Sequence, residues 1–331
     1  MSRRNIAKGL IVVLCLAILP ALASASGARD RRDPRVTLKG NRPGSDCTRT
    51  SVGFTPLMDL GAGTYQGHQG GLYPLGSNQP PLDYRWMGRA RAESVRPLNG
   101  SGQPDPTGRI VLLSIGMSNT TQEFSRFKAL ADADPDKNPQ LTIVDGAQGG
   151  QDAQAIRNPN AQYWTVVDQR LASAGVTRNQ VQVAWLKQAI AGENRAFPAD
   201  AQGLQSALRD IVQIMEQRYP NIQIIYMSSR IYAGYASTTL NPEPYAYQSG
   251  FAVKWLIEER VVGSGEGAWL AWGPYLWADG LVPRSDGLTW QCSDFQSDGV
   301  HPSDSGRQKV ATRLLNFFKT NETARRWFLR N

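Results

Sequence analysis

The 331-residue chain reads as an α/β protein, a three-layer α/β/α sandwich on a mainly parallel sheet, and three observations carry that reading. From residue 109 onward, short apolar runs alternate with segments of helical spacing, the pattern of strands joined by crossover helices. The composition, 41% hydrophobic and 19% charged, is that of a globular protein and excludes collagen, coiled coil and polytopic membrane protein. The length allows one large domain or two modest ones, each with a real core.

Residues 1–25 stand apart from the fold. Arg3, Arg4 and Lys8 precede the apolar run Leu10 to Leu19, and Ala23-Ser24-Ala25 supplies a small-residue cleavage site, so the segment reads as a signal peptide. The run is short for a membrane span, so no stable membrane insertion is expected once it is cleaved. Ser2-Arg3-Arg4-Asn5-Ile6-Ala7-Lys8 resembles a twin-arginine export signal, with Ile6 and Ala7 in place of bulkier residues. Export to the periplasm or the outside follows. Removing the segment brings the net charge from +8 to +5, without the dense basic stripe of a nucleic-acid protein. It also leaves two cysteines, Cys47 and Cys292, an even pair expected to form a disulfide in an exported protein.

Residues 26–108 are rich in Gly and Pro, as in Leu60-Gly61-Ala62-Gly63, and show no sustained period. Ordered loops and short strands packed on the core are expected there. Residues 109–331 carry the alternating pattern. Arg109 to Ser114 is the first strand, followed by Gly116 and a helix around Thr121 to Leu130; Leu141 to Val144 is the second, with a helix over Gln162 to Ala174. Val181 to Trp185 is the third. Leu204, Leu208, Ile211, Val212 and Met215 mark one helical face, stopped by Tyr219-Pro220-Asn221 before a fourth strand, Ile222 to Met227. The segment Gly250 to Val262 is an apolar helix, and a last helix from about Ser303 presents Val310, Leu314, Phe317 and Phe318.

In open parallel sheets the working site lies beyond the carboxyl ends of the strands, which directs attention to the loops starting at Ser114, Asp145, Trp185 and Ser228. The first places Ser118 at a strand-to-helix turn, where a serine is either a helix cap or a nucleophile. Thr120 stands where a Gly-x-Ser-x-Gly elbow would have its second glycine. The chain has two histidines. His301 follows Asp298 by three residues, so one loop can hold an imidazole and the carboxylate that orients it; His68 reads as structural. The loop Asp145-Gly146-Ala147-Gln148-Gly149-Gly150 can turn backbone N–H groups toward a developing oxyanion, through Gly146 or Gly149. No Gly-x-Gly-x-x-Gly or phosphate-binding Gly-Lys-Ser/Thr is present, so no nucleotide cofactor is implied. Asp294, Asp298 and His301 are the nearest approach to a metal set, but two histidines without a His-x-x-x-His make zinc a poor reading, and neither metal nor other cofactor is called for.

Together, Gly116-Met117-Ser118-Asn119, Gly146 and Asp298-x-x-His301 resemble the SGNH (GDSL-like) hydrolases over roughly Ile110 to Lys319. The first block is similar to the Gly-Gln-Ser-Asn form of sialate O-acetylesterase-like enzymes. The resemblance implies a flavodoxin-like strand order, Ser118 as nucleophile, His301 as base with Asp298 as its partner, and the N–H groups of Ser118 and Gly146 in the oxyanion hole. The family's Gly-x-Asn-Asp block is replaced by Trp185-Leu186-Lys187-Gln188, so Lys187 or Gln188 is expected to take the place of the oxyanion asparagine.

Arg230 and Tyr232, past the fourth strand, are expected to contact substrate. Trp255, Trp269, Trp272, Trp277 and Trp290 crowd the stretch before His301, where indoles stack on sugars, line an acyl pocket or fill the core. The expected activity is hydrolysis of a carboxylic ester, an O-acetyl or short acyl group on a carbohydrate, through an acyl-serine intermediate. A carbohydrate-binding protein without catalysis and a GDSL-type lipase are the alternatives. The partner is a small-molecule or glycan ester.

Overall fold

The computed structural model describes residues 44–192, 195–263 and 266–330. The expected signal peptide lies outside these residues. The centre is a five-stranded, wholly parallel sheet of β1 (Ile110–Gly116), β2 (Leu141–Asp145), β3 (Val181–Lys187), β4 (Ile224–Ser228) and β5 (Trp269–Trp272), in the order β2-β1-β3-β4-β5. Every residue of β1, β3, β4 and β5 is buried, as a sheet covered on both faces requires. The order reverses between β1 and β3, and the crevice beyond that point is where such sheets bind ligands.

The helices are α1 (Leu82–Ser94), α2 (Ser118–Asp132), α3 (Gln162–Ser173), α4 (Ala199–Arg218), α5 (Tyr245–Val262) and α6 (Asp304–Thr320), with a few single turns between them. α2 packs against α6, and α4 against α5. Leu204, Leu208, Ile211, Val212 and Met215 form the buried stripe of α4 and are all 3% exposed or less. The chain stops that helix at Arg218 because Pro220 removes a donor and restricts the residue before it. Ser303 caps α6, its side chain accepting from the Gly306 N–H.

Two elements differ from the sequence expectation. β5 is a fifth strand, four residues long and hard to separate from its tryptophan-rich surroundings by pattern alone. Residues 44–108 do contain loops and a two-residue antiparallel pair, Thr64–Tyr65 with His68–Gln69, but also the 13-residue α1. That helix buries only Tyr84, Gly88 and Ala92, a stripe of one aromatic and two small residues that carries almost no hydrophobic periodicity.

The N-terminal segment is stitched to the loops after β5. Asp279 accepts from the N–H groups of Val52 and Gly53 and from the Ser51 hydroxyl, Trp272 Nε1 donates to the Leu72 carbonyl, and a disulfide joins Cys47 to Cys292. α1 docks on β5 through reciprocal bonds: Trp269 Nε1 donates to Tyr84 O (3.0 Å) and Tyr84 Oη to Leu270 O (2.8 Å). The Trp269 indole lies flat where a side chain on Gly88 would be, its ring carbons 2.4–2.7 Å from that position. Gly88→Ala therefore gains helix propensity but overpacks a fixed ring, and is expected to destabilise by about 1–3 kcal/mol in urea unfolding.

Candidate active site

Ser118 is the first residue of α2, two residues beyond β1. Its N–H is one of the helix-start donors that no carbonyl within the helix can reach, so hydroxyl and amide both sit at the positive end of the helix. Ser118 Oγ is 2.8 Å from His301 Nε2, and His301 Nδ1 is 2.5 Å from Asp298 Oδ2. The other Asp298 oxygen accepts the N–H groups of Val300 and His301, each at 2.9 Å. Burial alone would raise the Asp298 carboxyl, but these bonds from His301 and Val300 outweigh it and hold the group at about 2. The carboxylate is thus ionised at neutral pH and fixes the ring with Nε2 toward the serine.

The Asp298–His301 turn passes through Gly299 at φ +67°, and a Cβ there would lie 1.9 Å from the Tyr235 carbonyl oxygen. Only glycine fits this turn without moving the histidine loop. Asn119 Nδ2 ties the start of α2 to the same loop by donating to Val300 O (2.9 Å). Thr120, which departs from the Gly-x-Ser-x-Gly pattern, donates its hydroxyl to Lys187 O (2.6 Å) and locks α2 to the end of β3.

Three sequence expectations for the oxyanion hole are corrected. The Gly146 N–H donates to Ser114 O and Ser114 Oγ, both at 3.1 Å, and is spent within the sheet end. Gly149 is the glycine beside the serine: a Cβ on it would be 4.0 Å from Ser118 Cβ, it is exposed, and its N–H has no hydrogen-bond partner among the described residues. Lys187 is 1% exposed and its ammonium bonds both oxygens of Glu123, at 2.6 and 2.5 Å. Burial pushes Lys187 down to about 8 against the pull of Glu123. Gln188 Nε2 donates to Gln151 O (2.8 Å) and its Oε1 accepts the Ala189 N–H, so it fastens the Gly149–Gln151 loop to β3. Neither side chain lines the cavity beside Ser118.

That cavity has a volume of about 440 Å³ and is lined by apolar Met117, Leu240 and Val300 and by polar Asn119, Asp152, Arg230 and Asn241. The Oδ1 atoms of Asn119 and Asn241 are buried without a hydrogen-bond partner among the described residues. Of the two residues expected to touch substrate, Arg230 reaches the cavity and Tyr232 does not: the phenol donates to Arg49 O (2.7 Å) and packs on Tyr235 and Trp277. His68 packs edge-on against Phe197 and at a tilt against Trp255, and does not line the cavity beside the serine. The tryptophans are framework: Trp269, Trp272, Trp277 and Trp290 each donate their indole N–H inside the core, and Trp255 packs in the His68 cluster. Asp294 is committed to Gln291 N, Ser305 Oγ and Lys309, so it does not join Asp298 and His301.

Glu123, Asn119 and Asn241 escaped the reading of the sequence. Glu123 left a signal, a lone carboxylate on the same helical face as Phe124 and Phe127; Asn119 stood in the Gly116-Met117-Ser118-Asn119 block without a role of its own, and Asn241 left no signal. Lys187→Met strands a buried carboxylate and is expected to cost about 3–5 kcal/mol, while Lys187→Met with Glu123→Leu recovers most of it; urea titration of both variants measures the difference.

Neither the protein-family models nor the curated proteins give a match to this chain. Among solved structures, it is similar to a proposed SGNH hydrolase from Slackia heliotrinireducens at 18% identity, covering 63% of this chain and 99% of that one, with a TM-score of 0.36. The periplasmic domain of the lipopolysaccharide acetyltransferase of Salmonella Paratyphi A is similar at 15% identity, over 71% and 94% of the two chains, TM-score 0.37. A proposed acylhydrolase from Bacteroides fragilis is similar at 11% identity, over 72% and 94%, TM-score 0.40. These likenesses are remote, and the chemistry below stands on the residues of this chain.

Proposed function

We propose that this chain is an exported serine esterase of the SGNH type that hydrolyses short acyl esters of a hydroxyl-rich alcohol such as a carbohydrate. The observation that carries the reading is the continuous Ser118–His301–Asp298 relay, with heavy-atom separations of 2.8 and 2.5 Å, at the rim of a cavity beyond the topological switch point. Ser118 Oγ attacks the ester carbonyl while His301 Nε2 takes its proton, and Asp298 stabilises the imidazolium. The carbonyl electron pair moves onto oxygen, facing the N–H groups of Ser118 and Gly149. Collapse expels the alcohol with the proton from His301 and leaves an acyl-serine. Water, deprotonated by the same ring, then releases the acid and restores the hydroxyl.

The buried, unpartnered amide oxygens of Asn119 and Asn241 support a polyol, since each can accept a substrate hydroxyl. The modest cavity supports a short acyl group over a lipid chain. Export is supported by the signal-like N-terminus and by the Cys47–Cys292 disulfide. The sialate O-acetylesterase-like first block, Gly116-Met117-Ser118-Asn119, is consistent with an acetyl ester.

Ser118→Ala and His301→Ala are each expected to lower kcat on p-nitrophenyl acetate by at least about 10⁴-fold, with rates falling as the acyl chain lengthens. Equal rates in the serine variant and the wild type would sink the mechanism, and a preference for long chains would move the reading to a lipase. The Asp298 carboxyl also links stability to pH. Its pKa in the folded state, about 2, is depressed from 3.8, so its stabilising contribution is present above pH 4 and lost as pH falls through 2. Asp298→Asn is expected to melt below the wild type at pH 6, with the gap closing toward pH 2.

A further inference from the structure

Arg230 lies two residues beyond β4, 0% exposed, in the wall of the cavity that contains Ser118 and His301. Its Nε, Nη1 and Nη2 atoms make no hydrogen bond among the described residues. A guanidinium carries five donors and stays charged, so burying it with every donor idle is costly unless something else uses them. The carboxylates near enough to influence it are Glu123, Glu243 and Asp298, and each is committed elsewhere. Glu123 bonds Lys187; Glu243 accepts from Trp277 Nε1 and from the N–H groups of Ala233 and Tyr247; Asp298 holds His301. Their fields offset the charge without occupying the fork. The backbone N–H of Arg230 donates to Ser249 Oγ (3.1 Å), which fixes where the side chain starts.

The strand register shows what lies within its reach. Gly116, Lys187 and Ser228 stand side by side at the ends of β1, β3 and β4; Ser118 and Arg230 each lie two residues past the end of their strand, and both line the same cavity. At the end of β3, between them, the Lys187 and Gln188 side-chain donors are spent on Glu123 and on Gln151 O. Among the described residues Arg230 is the one permanent cation in the cavity wall.

We propose that Arg230 is a catalytic residue whose guanidinium donates to the carbonyl oxygen of the substrate as it becomes the oxyanion of the tetrahedral intermediate, completing a hole begun by the N–H groups of Ser118 and Gly149. The inference rests on the serine-esterase reading. As Ser118 Oγ bonds the carbonyl carbon and His301 accepts the proton, the carbonyl π pair becomes a lone pair on oxygen, facing the fork. When the intermediate collapses, that pair reforms the double bond, the alkoxide leaves with the His301 proton, and Arg230 is unchanged. Charge developing next to a fixed, water-excluded cation is stabilised far more than the neutral carbonyl that precedes it, so the effect falls on kcat.

The experiment compares wild type, Ser118→Ala, Arg230→Met, Arg230→Lys and Arg230→Ala on p-nitrophenyl acetate and on the anionic mono-p-nitrophenyl succinate, with circular dichroism and thermal melts on each. The expected result is a fall in kcat of about 10²–10³-fold for Arg230→Met on both esters. KM should stay within about threefold. Arg230→Lys should retain more activity than Arg230→Met, and added guanidinium ion should restore part of the rate to Arg230→Ala, a rescue that a purely structural arginine would not show. If Arg230→Met does not fold, the lysine variant and guanidinium rescue decide. Unchanged kcat in folded Arg230 variants overturns the proposal and leaves the esterase reading intact. A loss confined to the succinate ester, seen as a raised KM, also overturns it and makes Arg230 an anchor for a substrate carboxylate. A wild type as inert as Ser118→Ala overturns the esterase reading and the proposal together.

Discussion

The buried ion pair between Lys187 and Glu123 is the contact from which the site is organised. It joins the end of the central strand β3 to the second turn of α2, the helix whose first residue is Ser118. With side-chain exposures of 1% and 0%, each charge is tolerable only because the other is present. Thr120 adds a second tie between the same two elements through Lys187 O. Ser118 therefore sits on a helix end tied to the sheet, and the Lys187 and Gln188 side chains of β3 and its loop are turned from the cavity. A residue from the neighbouring strand's loop, Arg230, reaches the space that β3 leaves.

Charge around the serine is distributed so that each carboxylate has its own donors. Asp298 has His301 and two backbone N–H groups, Glu243 has an indole and two backbone N–H groups, and Glu123 has an ammonium. Burial pushes Glu123 and Glu243 up in pKa, whereas the Asp298 bonds overcome the same penalty and hold it low. The difference follows from exposure: the Asp298 side chain is a quarter exposed, whereas Glu123 and Glu243 are 0% and 9% exposed. This keeps the histidine's partner ionised at neutral pH.

The N-terminal segment and the loops after β5 form one framework around the sheet edge and the histidine loop. Indole N–H groups in that region bond backbone carbonyls or the Glu243 carboxylate, which lets large aromatic rings fill the core without leaving a buried donor idle. The disulfide from Cys47 ends at Cys292, nine residues before His301. The aromatic density before His301 thus packs the framework beneath the Asp298–His301 loop, with its indole N–H groups already bonded.

The order of strands and helices from residue 109 was legible because each strand is a buried apolar run and each helix presents a stripe at its own period. The same reading singled out Ser118, Asp298 and His301, since a lone histidine with a carboxylate three residues away and a serine at a strand end leave few alternatives. β5 and α1 were not legible: one is a short run among other apolar residues, and the other buries one tyrosine, a glycine and an alanine, too few apolar side chains for a helical stripe. Lys187, Gln188, Gly146 and Tyr232 stood at the right positions along the chain but face other partners, because direction is settled by whichever buried group satisfies each donor first. Sequence spacing determined which loops meet beyond the sheet. Only tertiary packing decided which side chains in those loops were already bonded and which, like Arg230, kept donors without a partner among the described residues.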